Sequence, residues 1–242
     1  MGLLHRADFL IKYIIIKVLE FFNTISVIPS KWLIKLIKYI MKGVIFLSFV
    51  IGCVSSNAVI IASDGRCCNL DGTIKTERYN KTRKINSNTI IGYSGSTEAC
   101  EFALKQLDTV LKNSPEKRIS DFYADEIAKI LHDIIPIINF SEGLIVQFIV
   151  GGISREKGTI MYAFGNTNQQ ELIPCFPSST WNCSFLSPPN TDGEPIFLKN
   201  SESGQYNTLK DILIASIHEM ADLDSSVNKN CFFQTILLDN QE

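Results

Sequence analysis

Histidine is scarce, with three in 242 residues, and the seven cysteines show no CxxC spacing and no accompanying histidine cluster. Neither a zinc site nor a disulfide framework has a ligand pattern to build on, so reduced core thiols are expected, the adjacent Cys67-Cys68 included. No metal and no cofactor are expected. Excess charge of either sign is also missing: the formal net charge is −2 and the pI is near 6.0. A nucleic acid would need a basic face, and this balance does not supply one. Finally, no membrane span is expected: Phe9 to Phe22 has the length for a helix but is interrupted by Lys12, Lys17 and Glu20, and spanning takes about 20 mostly apolar residues.

What is present is enough chain for one large domain with a substantial core. Residues 1–47 differ in composition from the rest. They are apolar and basic, with Lys12, Lys17, Lys31, Lys35, Lys38 and Lys42 against Asp8 and Glu20, and are expected to form an extension ahead of a domain over 48–242. Trp32 to Met41 has the pattern of a short amphipathic helix suited to a partner subunit or a membrane surface.

The stretch Asn57 to Ser96 organises the remainder. It holds two β-branched runs, Ala58 to Ala62 and Thr89 to Gly92, each ending in small polar residues, which predicts two buried strands. Asp64 and Arg66 follow the first run, Lys81 lies in a basic segment before the second, and Ser94-Gly95-Ser96 closes it. Polar groups thus gather at strand ends, where sites are usually built. The apolar strand ending Ala-Ser-Asp-Gly-Arg, the Lys81-x-x-Lys-Ile-Asn block and the strand leading into Ser-Gly-Ser together resemble the β-type subunits of the proteasome. The resemblance extends more weakly from about Ser48 to the C-terminus. It implies an α+β fold, the four-layer α-β-β-α sandwich of the N-terminal-nucleophile hydrolases.

The other segments follow this order. Val44 to Val54 predicts a first strand that turns through Ser55-Ser56-Asn57 into the second. Thr97 to Leu111 has helical spacing, and Ser120 is expected to cap a second helix running to about Ile135. Gly143 to Gly152 and Gly158 to Phe164 predict a hairpin, and Gly165 to Gly204, rich in Pro and Ser, predicts no helix. Thr208 to Asp222 predicts a helix, and Cys231 to Leu238 a final strand after the Asp224-Ser225-Ser226 turn. His132 and His218 are expected to be ordinary helix residues.

In the resembled family, residue one supplies a nucleophilic hydroxyl and its own α-amine, with a pKa near 8, acts as base. A lysine tunes the hydroxyl, an acid fixes the lysine, and a backbone amide forms the oxyanion hole. By resemblance Lys81 is the lysine, with a one-residue insertion before it, Asp64 the acid and Gly95 the oxyanion-hole glycine. Asp224 and Ser226 are weaker matches to a C-terminal aspartate and serine. Family spacing counted back from Asp64 reaches Ser48, where Phe46-Leu47-Ser48-Phe49 replaces the family's Gly-Thr-Thr. Glycine before the nucleophile lets the backbone bend for self-cleavage, and Leu47 makes that harder.

The resemblance implies a proteasome β-type subunit that takes part in protein degradation, without catalysis of its own unless Ser48 is exposed as the N-terminal nucleophile. It implies other α- and β-type subunits in stacked rings as partners, unfolded polypeptides as substrates, and the cytoplasm and nucleus as location. Two rivals stand beside it. Met41-Lys42, the run Val44 to Val50 and Ile51-Gly52-Cys53 imitate a bacterial lipoprotein signal, which would make the chain a secreted, lipid-anchored binding protein beginning at Cys53. The other rival is an N-terminal-nucleophile amidase acting on a small amide.

Overall fold

The computed structural model describes residues 48–69, 73–136, 144–166, 172–178 and 180–238. The expected extension 1–47, with its Phe9 to Phe22 and Trp32 to Met41 segments, lies outside the described residues.

Eleven strands and four α-helices are described. The first hairpin joins β1 (Val50–Val54) to β2 (Ala58–Asp64), antiparallel, with Val50 opposite Ser63. Its turn closes where the Ser55 amide donates to the Ala58 carbonyl at 2.8 Å and Ser55 Oγ donates to Asn57 Oδ1 at 2.9 Å. A short pair, β3 (Cys67–Cys68) and β4 (Ile74–Thr76), follows. Next come β5 (Thr82–Lys84) and β6 (Thr89–Gly95), then helix α1 (Thr97–Lys112). Ser96 caps α1 by accepting from the Ala99 amide, and Ala103, Leu104, Leu107 and Leu111 bury one stripe of it, as the spacing predicts.

Helix α2 (Ala124–Ile134) begins later than expected, with Tyr123 rather than Ser120 at its N-cap. Ser120 Oγ instead donates to Asp121 at 3.0 Å within a 3-10 turn over Ile119–Asp121, and the Asn86 side chain donates to the carbonyls of Ile119 and Phe122. The second hairpin is β7 (Val146–Ser154) with β8 (Gly158–Gly165). The region predicted to lack a helix contains β9 (Pro174–Cys175), β10 (Asn182–Leu186) and helix α3 (Gly193–Glu202). Asp192 caps α3, and Pro195 falls in its first turn, where a missing N–H leaves no intrahelical bond unmade. Helix α4 (Leu209–Leu223), capped by Thr208, and β11 (Cys231–Leu237) close the chain.

The strands form two main antiparallel sheets, one in the order β10-β1-β2-β11 and the other β5-β6-β7-β8-β9. Side chains alternate along each strand and sort into three cores. Ile91, Tyr93, Phe148 and Val150 of the second sheet pack with the apolar stripes of α1 and α2. Ile51, Cys53 and Ala62 of the first sheet pack with Ile196 and Phe197 of α3 and Leu213, Ile217 and Met220 of α4. Val50, Val59, Ile61 and Ile236 of the first sheet share a third core with Ile90, Ile149 and Met161 of the second. Gly52 and Gly92 permit this close contact, because a Cβ at either would lie within 2.8 Å of side-chain atoms of the facing sheet. Each fully buried Ile or Phe in these cores contributes roughly 1.5–3 kcal/mol. Among the described residues, no helix is long and apolar enough to cross a membrane.

Candidate active site

Strand register decides which polar residues meet. Continuing the β1-β2 pairing one step beyond Val50 and Ser63 sets Phe49 opposite Asp64: the Asp64 amide donates to the Phe49 carbonyl at 3.1 Å. The Phe49 amide in turn donates to Asp64 Oδ1 at 3.0 Å. Thr82 pairs with Gly92, so Lys81 comes beside Tyr93, whose amide donates to the Lys81 carbonyl at 3.1 Å. The end of β2 and the starts of β1 and β5 are thereby gathered at one corner.

Lys81 Nζ donates to Asp64 Oδ1 at 2.9 Å, and the Arg66 amide donates to Asp64 Oδ2 at 2.7 Å. Asp64 is fully buried and Lys81 is 3% exposed. Burial pushes the Asp64 carboxyl upward, and the Lys81 ammonium with the amides of Arg66 and Phe49 pulls it back in part. Lone pairs on both carboxylate oxygens are taken up, which makes the carboxylate a rigid anchor for the ammonium.

Ser48 sits at the same corner and is 7% exposed. Its amide donates to Ser94 Oγ at 3.1 Å, and Ser94 Oγ donates to the Ser48 carbonyl at 3.1 Å. Gly95 follows at φ +114°, a conformation that favours glycine, and a Cβ there would lie 2.1 Å from the Ile145 carbonyl oxygen. That carbonyl accepts from the Ser96 amide at 2.8 Å. The backbone alone therefore requires glycine at 95. Ser48, Asp64, Lys81 and Ser94-Gly95 converge from four separate segments.

Asp224 and Ser226 bond to each other. Asp224 Oδ1 accepts from the Ser226 amide at 2.8 Å and from Ser226 Oγ at 2.7 Å, a turn that ends α4. Neighbouring residues also join this turn to the corner. Arg66 donates from its guanidinium to the Ser225 carbonyl and to both carboxylate oxygens of Glu77, at 3.1 and 2.9 Å. Asn228 accepts from the Gly65 amide at 2.9 Å and donates to the Glu77 carbonyl at 2.8 Å. Glu77, Ser94 and Asn228 carry no role in the sequence reading. Asn228 and Glu77 lie 151 residues apart, and no local pattern joins them.

Tyr93 turns toward the α1 layer. Its hydroxyl donates to Glu101 Oε1 at 2.6 Å, and the Tyr79 hydroxyl donates to the same oxygen at 2.8 Å. Burial and the Glu101 carboxylate push the Tyr93 phenol up, and burial pushes Tyr79 to about 12, so both stay protonated donors. His132 stacks edge-on against Phe164 at 5.6 Å, and His218 Nε2 contacts the Lys229 carbonyl at 3.1 Å. They lie on helices α2 and α4. Cys53 is fully buried in the middle of β1, where a lipid on its sulphur would have to enter the core beneath α3 and α4. No group of three or more His, Cys, Asp or Glu side chains is arranged to hold a metal among the described residues.

No family model and no curated protein matches the sequence. Among solved structures, the chain is similar to the crystal structure of eukaryotic HslV from Trypanosoma brucei. The TM-score is 0.56 at 14% identity, covering 78% of this chain and 99% of that one. At that identity the likeness concerns the fold alone: two main antiparallel sheets and four helices among the described residues, similar in arrangement to that structure.

Proposed function

We propose that this chain is a β-type subunit of a proteasome-like protease, an α-β-β-α sandwich of the N-terminal-nucleophile class that stacks with other subunits in a ring. In the form that carries residues 1–47, it contributes structure rather than catalysis. One observation carries the reading: in an HslV-like fold, Ser48, Asp64, Lys81 and Gly95 meet at one corner in the order that the family resemblance implies. The packing of helices against the outer face of each sheet supports the four-layer description.

Catalysis by Ser48 needs its nitrogen as a free amine, the base that would take the hydroxyl proton. While Leu47 is attached, that nitrogen is an amide, donating to Ser94 Oγ. Lys81, held by Asp64, would then supply the positive field, and the Gly95 amide the oxyanion donor. A second reading, an active endopeptidase, is favoured by the intact Asp64-Lys81 pair and by the Ser94 hydroxyl already seated on the Ser48 nitrogen. Tyr93 is committed to Glu101, so no cation stands there to draw acidic substrate side chains.

The deciding experiment is the intact mass and N-terminal sequence of the protein from its own source, with its co-purifying chains identified. A full-length chain within a larger assembly supports the structural role, and a chain beginning at Ser48 establishes the endopeptidase reading. A monomer that hydrolyses a small amide overturns both in favour of an amidase. The assembly would be sought in cytoplasmic and nuclear extracts.

A further inference from the structure

Cys53 lies in the middle of β1, and Cys183 stands directly opposite it on the edge strand β10. Directly opposed residues of antiparallel strands have Cα atoms about 4.5–5.5 Å apart, within the range a disulfide spans. Their sulphurs are 2.7 Å apart. That is well inside the roughly 3.5–4 Å at which non-bonded heavy atoms rest, and somewhat beyond the ~2.05 Å of an S–S bond. Both side chains belong to the layer between the first sheet and helices α3 and α4, where Cys53 is buried and Cys183 partly exposed. Every other pairing of this edge strand with its neighbour is noncovalent, and β10 leads directly toward α3.

We propose that Cys53 and Cys183 are a redox-responsive pair that closes into a cross-strand disulfide, locking the edge strand β10 to β1, with a small-molecule disulfide of the glutathione class as oxidant. The step balances as thiol–disulfide exchange. The Cys183 thiolate, the more accessible of the two, attacks one sulphur of the oxidant, forming a mixed disulfide and releasing one small thiolate. Cys53 then gives up its proton and attacks Cys183 Sγ, releasing the second. Two protein thiols are oxidised and one small disulfide is reduced to two thiols. Burial pushes the Cys53 thiol well up, which keeps it protonated and unreactive toward bulk reagents until Cys183 presents the mixed disulfide beside it. The inference rests on the β1-β10 pairing and the separation of the two sulphurs, and stands whatever the proteolytic status of the chain.

The test equilibrates the folded, full-length protein in glutathione buffers from fully reduced to fully oxidised. Samples are acid-quenched, alkylated under denaturing conditions and peptide-mapped. The expected result is a linked peptide joining Cys53 to Cys183, a loss of two hydrogens in intact mass, and complete reversal by dithiothreitol. Cys183→Ser should abolish the linked peptide while leaving the other five cysteines alkylated as before. The proposal is overturned if Cys53 and Cys183 are both alkylated in the most oxidising buffer, or if the linked peptide joins other cysteines. It is overturned equally if the link forms only in protein unfolded before oxidation. Should Cys183→Ser fail to fold, Cys183→Ala read in the same way replaces it.

Discussion

Asp64 and Arg66 stand two residues apart and meet opposite charges in opposite surroundings. The Asp64-Lys81 pair is sealed from water, with side-chain exposures of 0% and 3%, whereas Arg66 and Glu77 are 19% and 42% exposed. The inner pair holds the corner where Ser48 and Gly95 meet, and the outer pair ties that corner to the turn after α4. Desolvation is the difference. An inner charge depends on its partner because water does not reach it, whereas an outer charge retains water when its partner is lost. Similar ion pairs therefore have different structural weight.

The strongest way to break the comparison is Lys81→Met, which leaves the Asp64 carboxylate buried and uncompensated. Destabilisation of about 3–5 kcal/mol is expected, read by urea unfolding. Adding Asp64→Leu should recover part of this loss and not all of it. The Phe49 and Arg66 amides would then lack their acceptor, at about 1–3 kcal/mol each. Full recovery would mean that the pair acts by charge alone and not as an amide anchor.

Next in size is Gly95→Ala, which adds no charge and tests the backbone of the corner. A Cβ at positive φ against the Ile145 carbonyl should cost at least about 1–3 kcal/mol. Comparable stability of the alanine variant and the parent would show that glycine at 95 is not required by the backbone, leaving chemistry as its reason.

The smallest effect belongs to the outer pair. Glu77→Gln should cost about 0.2–1 kcal/mol, discounted by solvent. The two carboxylates should also respond to pH with opposite sign. Glu77 is held below its ordinary value of 4.5 by Arg66 and Asn228, so its stabilisation is present above 4.5 and lost as pH falls through the lower folded value. Asp64 is raised above its ordinary 3.8, so the folded state holds that proton more tightly. Its contribution improves as pH falls from the raised value toward 3.8. Carboxyl carbon NMR titration checks this directly: Asp64 midpoint above 3.8 and Glu77 midpoint below 4.5. The reverse order would invalidate the contrast.

Much of the fold is legible in local pattern. The β-branched runs around Ser55-Ser56-Asn57 mark the β1-β2 hairpin, and the spacing of Ala103, Leu107 and Leu111 marks α1. Helix α3 is hidden because Gly193 and Pro195 resemble a loop, although Asp192 at the cap and Pro195 in the first turn are compatible with a helix start. Strand β10 is hidden because Asn182–Leu186 gains its partner, β1, from a distant part of the chain. At the corner, Ser48, Asp64, Lys81 and the Ser94-Gly95 strand end are singled out by strand ends and family resemblance. The bonds that join Ser94 to Ser48 and Asn228 to Glu77 are not, since they span 46 and 151 residues.

Local pattern sets the periods of α1, α4 and the long strands, the two hairpins and the polar residues at their ends, because these depend on neighbours within a few positions. The tertiary structure alone decided that Phe49 lies against Asp64, that Lys81 is sealed beside it, and that Cys53 faces Cys183. Strand register and burial are set by contacts between segments far apart in the chain, and it is burial that turns an ordinary Asp-Lys pair into the fixed point of the molecule.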